Sequence, residues 1–235
     1  FDGKGFAIKN YVVSDFEANG DPKHITTSTQ YYGMFGYIGS NGVVKNVSFD
    51  SAKVYIARKS TMSSSQTFYY GLLAGYNAGT IENVNVTNSK VFVKTTNKTK
   101  DLLTVGGLVG MNTAQGTITN VNVGLELTVD GVIDGNVGGI VGTTLNADTV
   151  TKEVEGKKTT VANISNATFD GSINVNIVGS NGYDANTVVG GILGRNYRSL
   201  VENCESKGTI NVKVSYTSVA SAKIIVGGLL GWNIN

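Results

Sequence analysis

The chain has 235 residues and a formal charge of +2, from 19 Lys and Arg against 17 Asp and Glu, a balance too even to mark nucleic acid or an anionic membrane as a partner. Glycine occurs 31 times and proline once, so glycine is needed at fixed places in an architecture that tolerates no residue lacking an N–H. The single cysteine excludes an intrachain disulfide, and no apolar run approaches the roughly 20 residues that span a bilayer.

Taken in order, the chain shows one unit repeated. It begins with Ile8-Lys9-Asn10, passes a polar insert holding the only histidine, His24, and reaches a glycine signature at Tyr32-Gly33-Met34-Phe35-Gly36. That signature returns at Gly71–Gly75, Gly106–Gly110, Gly138–Gly142, Gly190–Gly194 and Gly227–Gly231. An apolar-polar-Asn signal follows each of the first five copies, ending at Asn46, Asn83, Asn120, Asn166 and Asn203, and Asn10 precedes them. The asparagines step by 36, 37, 37, 46 and 37 residues, and the long step places an insertion between Gly142 and Asn166. A third signal alternates apolar and polar residues at Val54–Ile56, Val91–Val93, Leu125–Val129, Ile173–Ile177 and Ile210–Val214.

Three strand signals in a period of about 37 residues predict an all-β chain, a three-sided parallel β-helix (β-solenoid) of about six coils forming one domain over residues 1–235. Equivalent residues of such a stack lie about 4.8 Å apart, so each Asn amide can donate to the next. The spacing predicts a ladder of Asn10, Asn46, Asn83, Asn120, Asn166 and Asn203 at an inner corner, and a larger stability loss at Asn120 than at Asn77, which reads as a loop residue. Cys204 occupies the slot of Val47, Val84, Val121 and Ala167, so it reads as a small core residue.

The units GLLAGYNAGTIENVNV, GGLVGMNTAQGTITNVNV and GGILGRNYRSLVENC resemble the GLUG repeat, with Tyr32 and Leu72 standing where the signature has glycine. The resemblance implies a module of large secreted or surface-attached bacterial proteins, such as adhesin-like proteins and the non-catalytic parts of IgA-cleaving metalloproteases. It brings no catalytic residues with it.

One histidine and one cysteine do not make a zinc site of the usual kind. Asp101, Asp130, Asp134, Asp148, Glu153, Glu155 and Asp184 lie in or near connections without forming a matched acid/base pair, and Asp130–Asn136 reads as a polar turn, not a calcium loop. No catalytic residue, metal or cofactor is therefore predicted. Binding residues are sought in the long connections, where Tyr69, Tyr70, Tyr183 and Tyr216 suit stacking on sugars or anchoring a protein, and Lys98 and Lys100 suit acidic groups. Of the sequons at Asn46, Asn85, Asn97, Asn163 and Asn166, only Asn97 has an evidently exposed setting, and two are proposed ladder rungs.

The resulting expectation is a non-catalytic extracellular or cell-surface module, a spacer or an adhesive part. Its partners would be a host protein or glycan, and other domains or neighbouring copies at the solenoid ends. A polysaccharide-active solenoid enzyme and a subunit of a surface filament or layer are the alternatives. Because the chain begins and stops inside what read as repeat units, a piece of a longer protein is expected.

Overall fold

Along 43–50 and 80–95, Val, Ile and Phe mostly alternate with polar residues, and an extended strand of that pattern needs one face covered. A computed structural model describes residues 1–15, 23–25, 29–60, 66–95, 102–132, 134–145, 150–154, 157–161, 163–179, 185–216 and 222–234, and in it these faces turn inward and stack coil on coil. Every pairing between coils is parallel among the described residues, as the sequence predicts.

Three sheets form the three walls. The widest has a leading strip that includes Ala7–Lys9, Val43–Asp50 and Ile164–Phe169, and a trailing strip that includes Val12–Asp15, Lys53–Ser60, Ser172–Gly179 and Thr209–Tyr216. Thr80–Thr95 and Thr117–Val132 run through both strips as single strands. The second wall stacks Thr29–Tyr32, Thr67–Tyr70, Leu102–Gly106, Asp134–Gly138, Ala185–Gly190 and Ala222–Gly227. The third stacks Phe35–Ile38, Ala74–Asn77, Val109–Asn112, Val141–Thr144, Leu193–Tyr197 and Leu230–Ile234. Two of the three sequence signals thus share the wide wall, and the glycine signature is the corner joining the other two.

That corner explains the glycines. A Cβ on Gly106 would lie 1.8 Å from the Val109 carbonyl oxygen, so only a residue without one fits so tight a turn. Tyr32 is not a departure from this rule. It pairs with Tyr70, which sets Gly33 opposite Gly71 in a corner one residue shorter. Inside, Phe49, Val86, Val123 and Phe169 stack in one column and Leu108, Ile140 and Ile192 fill the glycine corner, all at most 1 % exposed. Each such side chain contributes about 1.5–3 kcal/mol of burial, offset by the ordering of the chain. Cys204 packs on this core opposite Ala167, and its burial pushes the thiol pKa up.

The insertion is an antiparallel hairpin, Val150–Val154 with Lys157–Val161. His24 lies in a short strand, Lys23–Ile25, paired with Arg58–Ser60, and not in a loop.

The asparagine ladder forms from Asn46 to Asn166, but on the outside, and Asn203 shares its bend without bonding to Asn166. Asn166 donates to Asn120 (3.1 Å), Asn120 to Asn83 (3.2 Å), Asn83 to Asn46 (3.0 Å) and Asn46 to the Asp2 carboxylate (3.1 Å). Asn46, Asn83, Asn120, Asn166 and Asn203 have φ of 50–54°, a left-handed bend that asparagine tolerates better than most residues. The bend breaks strand alternation, so Glu82 and Asn83 both face outward while Ile81 and Val84 face the core. The expected inner corner is therefore an outer one.

Asn10 belongs to another column. Ile8 pairs with Phe49 and Lys9 with Asp50, so Asn10 stands opposite Ser51, and these two with Asn88 bend at φ 51–58° between the two strips. The step of 36, not 37, was the trace of this mismatch. Asn88, Ser51, Lys9 and Thr87 hold the Asp50 carboxyl below its ordinary value of 3.8. A carboxylate so held stabilises the fold above its unfolded pKa and loses that contribution as pH falls through the lower folded value. Asp50→Asn should therefore flatten the acid limb of stability below about pH 4, measured as denaturant midpoint against pH.

The inward amide column lies at the end of the third wall. Asn77 donates to Asn112 (2.7 Å), Asn112 to the Gly116 carbonyl (2.9 Å), and Asn196 to Asn233 (2.8 Å), with Thr144 filling the fourth coil and donating to Asn196 (3.0 Å). Asn77 and Asn112 are wholly buried. Asn77 is a core rung and not a loop residue. A Gly-x-Asn spacing in Gly75–Asn77, Gly110–Asn112, Gly194–Asn196 and Gly231–Asn233 carried the signal.

Candidate functional site

The trailing strip gives the wide wall an outward face whose residues alternate with the core positions. One outward row runs Tyr55, Phe92, Thr128, Asn174, Asn211, and the next runs Lys94, Asp130, Asn176, Lys213. Between them lies a trough of about 540 Å³, lined by Phe92 at one end and Lys213 at the other. Asn211 donates to Asn174 (3.0 Å) and Asn176 to Asp130 (2.8 Å), so stacking of the coils holds these side chains in place. Tyr55 packs edgewise on Phe92 at 6.2 Å between ring centroids. Beside the trough, Lys90 pairs with Glu126 at 2.7 Å, and this carboxylate pushes the lysine pKa up.

Two aromatic groups lie elsewhere. Tyr31 stacks on Tyr69 (5.5 Å) and Tyr37 on Tyr76 (4.7 Å), and edge contacts join the two pairs across the second and third walls. Burial first, then the neighbouring phenols, raise the pKa of Tyr69 and Tyr76. In the last two coils, Arg195 and Lys223 lie over the Trp232 ring at 4.6 and 4.0 Å.

Of the sequence-predicted binding residues, only Tyr69 and Tyr70 have described side chains. Tyr69 is half-buried in the quartet. Tyr70, its neighbour on a strand, must face the opposite way: it is fully buried, stacks on Phe68 and reaches Gln30 with its hydroxyl at 3.3 Å, so it is a core residue and not a ligand contact. Tyr183, Lys98 and Lys100 lie outside the described residues, as does the Tyr216 side chain. Asp101, Asp148, Glu155 and Asp184 also lie outside them, and Asp134 opens a second-wall strand. Among the described residues no three His, Cys, Asp or Glu converge to hold a metal ion. The sequon asparagines change places too: Asn85 is exposed, Asn46 and Asn166 lie on the outer ladder, Asn163 is buried and bonded to the Ala114 carbonyl at 2.9 Å, and Asn97 lies outside the described residues. The trough residues Phe92, Asn174, Asn176, Asn211 and Lys213 were missed, although they are the polar or aromatic members of the alternating third signal.

The GLUG motif family model matches residues 185–211, a stretch running from the second wall through the glycine corner and the third wall to the start of the trailing strip. No curated protein and no solved structure matches the chain.

Proposed function

We propose that this GLUG-motif solenoid is a non-catalytic binding module of a secreted or cell-surface protein, holding a ligand on its wide wall by adhesion and separating neighbouring parts of that protein along its axis. The observation that supports the reading is the way the outward groups are tied to one another. Asn211–Asn174, Asn176–Asp130 and Lys90–Glu126 form a preorganised set beside an aromatic pair. Glycoside cleavage needs two carboxyl groups facing each other across the scissile bond, one protonated and one ionised. Here Glu126 is paired with a lysine and Asp130 accepts from an amide, an arrangement suited to holding and not to proton transfer.

The test is a glycan array and a pull-down from host extracts with the whole chain, run beside an assay for oligosaccharide release. Retention of a ligand without new sugar ends is the expected result. Release of shortened or unsaturated sugars would overturn the reading in favour of a polysaccharide-active enzyme.

A further inference from the structure

We infer that the trough on the trailing strip holds an uncharged glycan chain laid along the solenoid axis, with successive sugars over successive coils. The inference rests on the binding-module reading and names its site and ligand class. Parallel coils repeat about every 4.8 Å, close to the length of one pyranose in an extended chain. The row Phe92, Thr128, Asn174, Asn211 therefore offers one contact per sugar over four rungs.

The chemistry of the lining selects this ligand. Phe92, braced by Tyr55, gives a flat apolar surface for the C–H face of a sugar ring. In the bond between Asn211 and Asn174, each amide uses one of its donor or acceptor positions and keeps others. Asn176 gives one N–H to Asp130, whose second oxygen remains an acceptor. A surface that mixes donors and acceptors at short spacing matches hydroxyl groups, each of which does both. The lining holds one carboxylate, Asp130, and one ammonium, Lys213, so it carries no net charge to attract a polyanion or a polycation. A peptide adding as a strand is disfavoured, because the backbone groups of this strip are already paired with the coils above and below.

Titration calorimetry on the whole chain with cellohexaose, chitohexaose and a galacturonate hexamer tests the inference. One or both neutral hexasaccharides should bind, their disaccharides at least about tenfold more weakly, and the galacturonate hexamer not at all. Phe92→Ala and Asn211→Ala should each weaken binding by about tenfold, with melting curves confirming that both remain folded, and Asn211→Asp giving a second variant of unchanged shape. Tyr76→Ala, in the distant quartet, should leave affinity unchanged. Failure of both neutral hexasaccharides at millimolar concentration, or binding indifferent to the trough substitutions, overturns the site. If a protein or another glycan is then retained elsewhere on the chain, the binding-module reading stands without it. Cleavage of a hexasaccharide overturns both.

Discussion

Arg58→Met is expected to destabilise the solenoid by about 3–5 kcal/mol, more than any surface substitution in the chain. Arg58 is a charged side chain only 2 % exposed, at the end of the trailing strip in the second coil. Its guanidinium pairs with the Asp15 carboxylate, donates to the Gln30 side chain (2.8 Å) and to the carbonyls of Asp15 (3.2 Å) and Ala57 (3.0 Å), and lies over the Tyr32 ring at 4.8 Å. Tyr32 donates its own hydroxyl to the same carboxylate. Methionine keeps most of the volume but withdraws the guanidinium from an acid whose side chain is 11 % exposed. The loss then comes from a buried carboxylate stripped of its main counter-charge. The double variant Arg58→Met with Asp15→Leu removes both charges and should recover most of it. Urea midpoints of the two single variants and the double close the cycle. A double variant as unstable as the sum of the singles would show that packing, not the ion pair, held this corner.

The position of this network follows from the repeat. Each coil leaves the trailing strip and enters the second wall at the same corner, between Ser60 and Thr67, Thr95 and Leu102, Gly179 and Ala185, and Tyr216 and Ala222. Close to that corner in the first two coils, Arg58 ties Asp15 of one coil to Ala57 of the next, on a strand that is also paired through Lys23 and Thr95.

Sequence spacing revealed which residues are equivalent, because stacking demands the same residue at the same step. That is why the parallel stacking, the place of the insertion and the slot of Cys204 were legible, whereas the one-to-one match of signals to walls was not, since two signals share the wide wall. Facing was harder to read. Alternation assigns a face only while the strand is regular, and a left-handed residue such as Asn83 lets two consecutive side chains share one face. The parity of everything after the bend is then reversed relative to a simple count. Asn46 and Asn120 were accordingly placed inside, when they are outside. Tyr69 and Tyr70, by contrast, lie on a regular strand, where alternation puts adjacent residues on opposite faces and only one of the two can be outward. The trough was illegible for a different reason: Tyr55, Phe92, Thr128, Asn174 and Asn211 share a register but no residue type, since nothing in the architecture requires one. Outward residues that stacking does not constrain are free to vary from coil to coil, and a search for recurrence passes over them.

The two asparagine columns make opposite predictions, and comparing them separates what each one does. Asn112→Ala should cost about 3 kcal/mol, because Asn112 is wholly buried, accepts from Asn77 and donates to Gly116. Alanine leaves one Asn77 N–H facing apolar neighbours and opens space where the amide was. Gly116 keeps a long bond from Asn163 at 3.4 Å, so its carbonyl is not wholly stranded, which limits the loss. Asn120 also joins two amides, but in water, where each such bond is nearly matched by solvent. Its other role is the bend at φ 54°, which glycine adopts without strain. Asn120→Gly should therefore cost under about 1 kcal/mol, and Asn120→Ala somewhat more, because alanine must carry the left-handed conformation. Urea midpoints measured under one set of conditions would establish the order. If Asn120→Gly proved more damaging than Asn112→Ala, the outer ladder and not the inner one would be holding the coils in register.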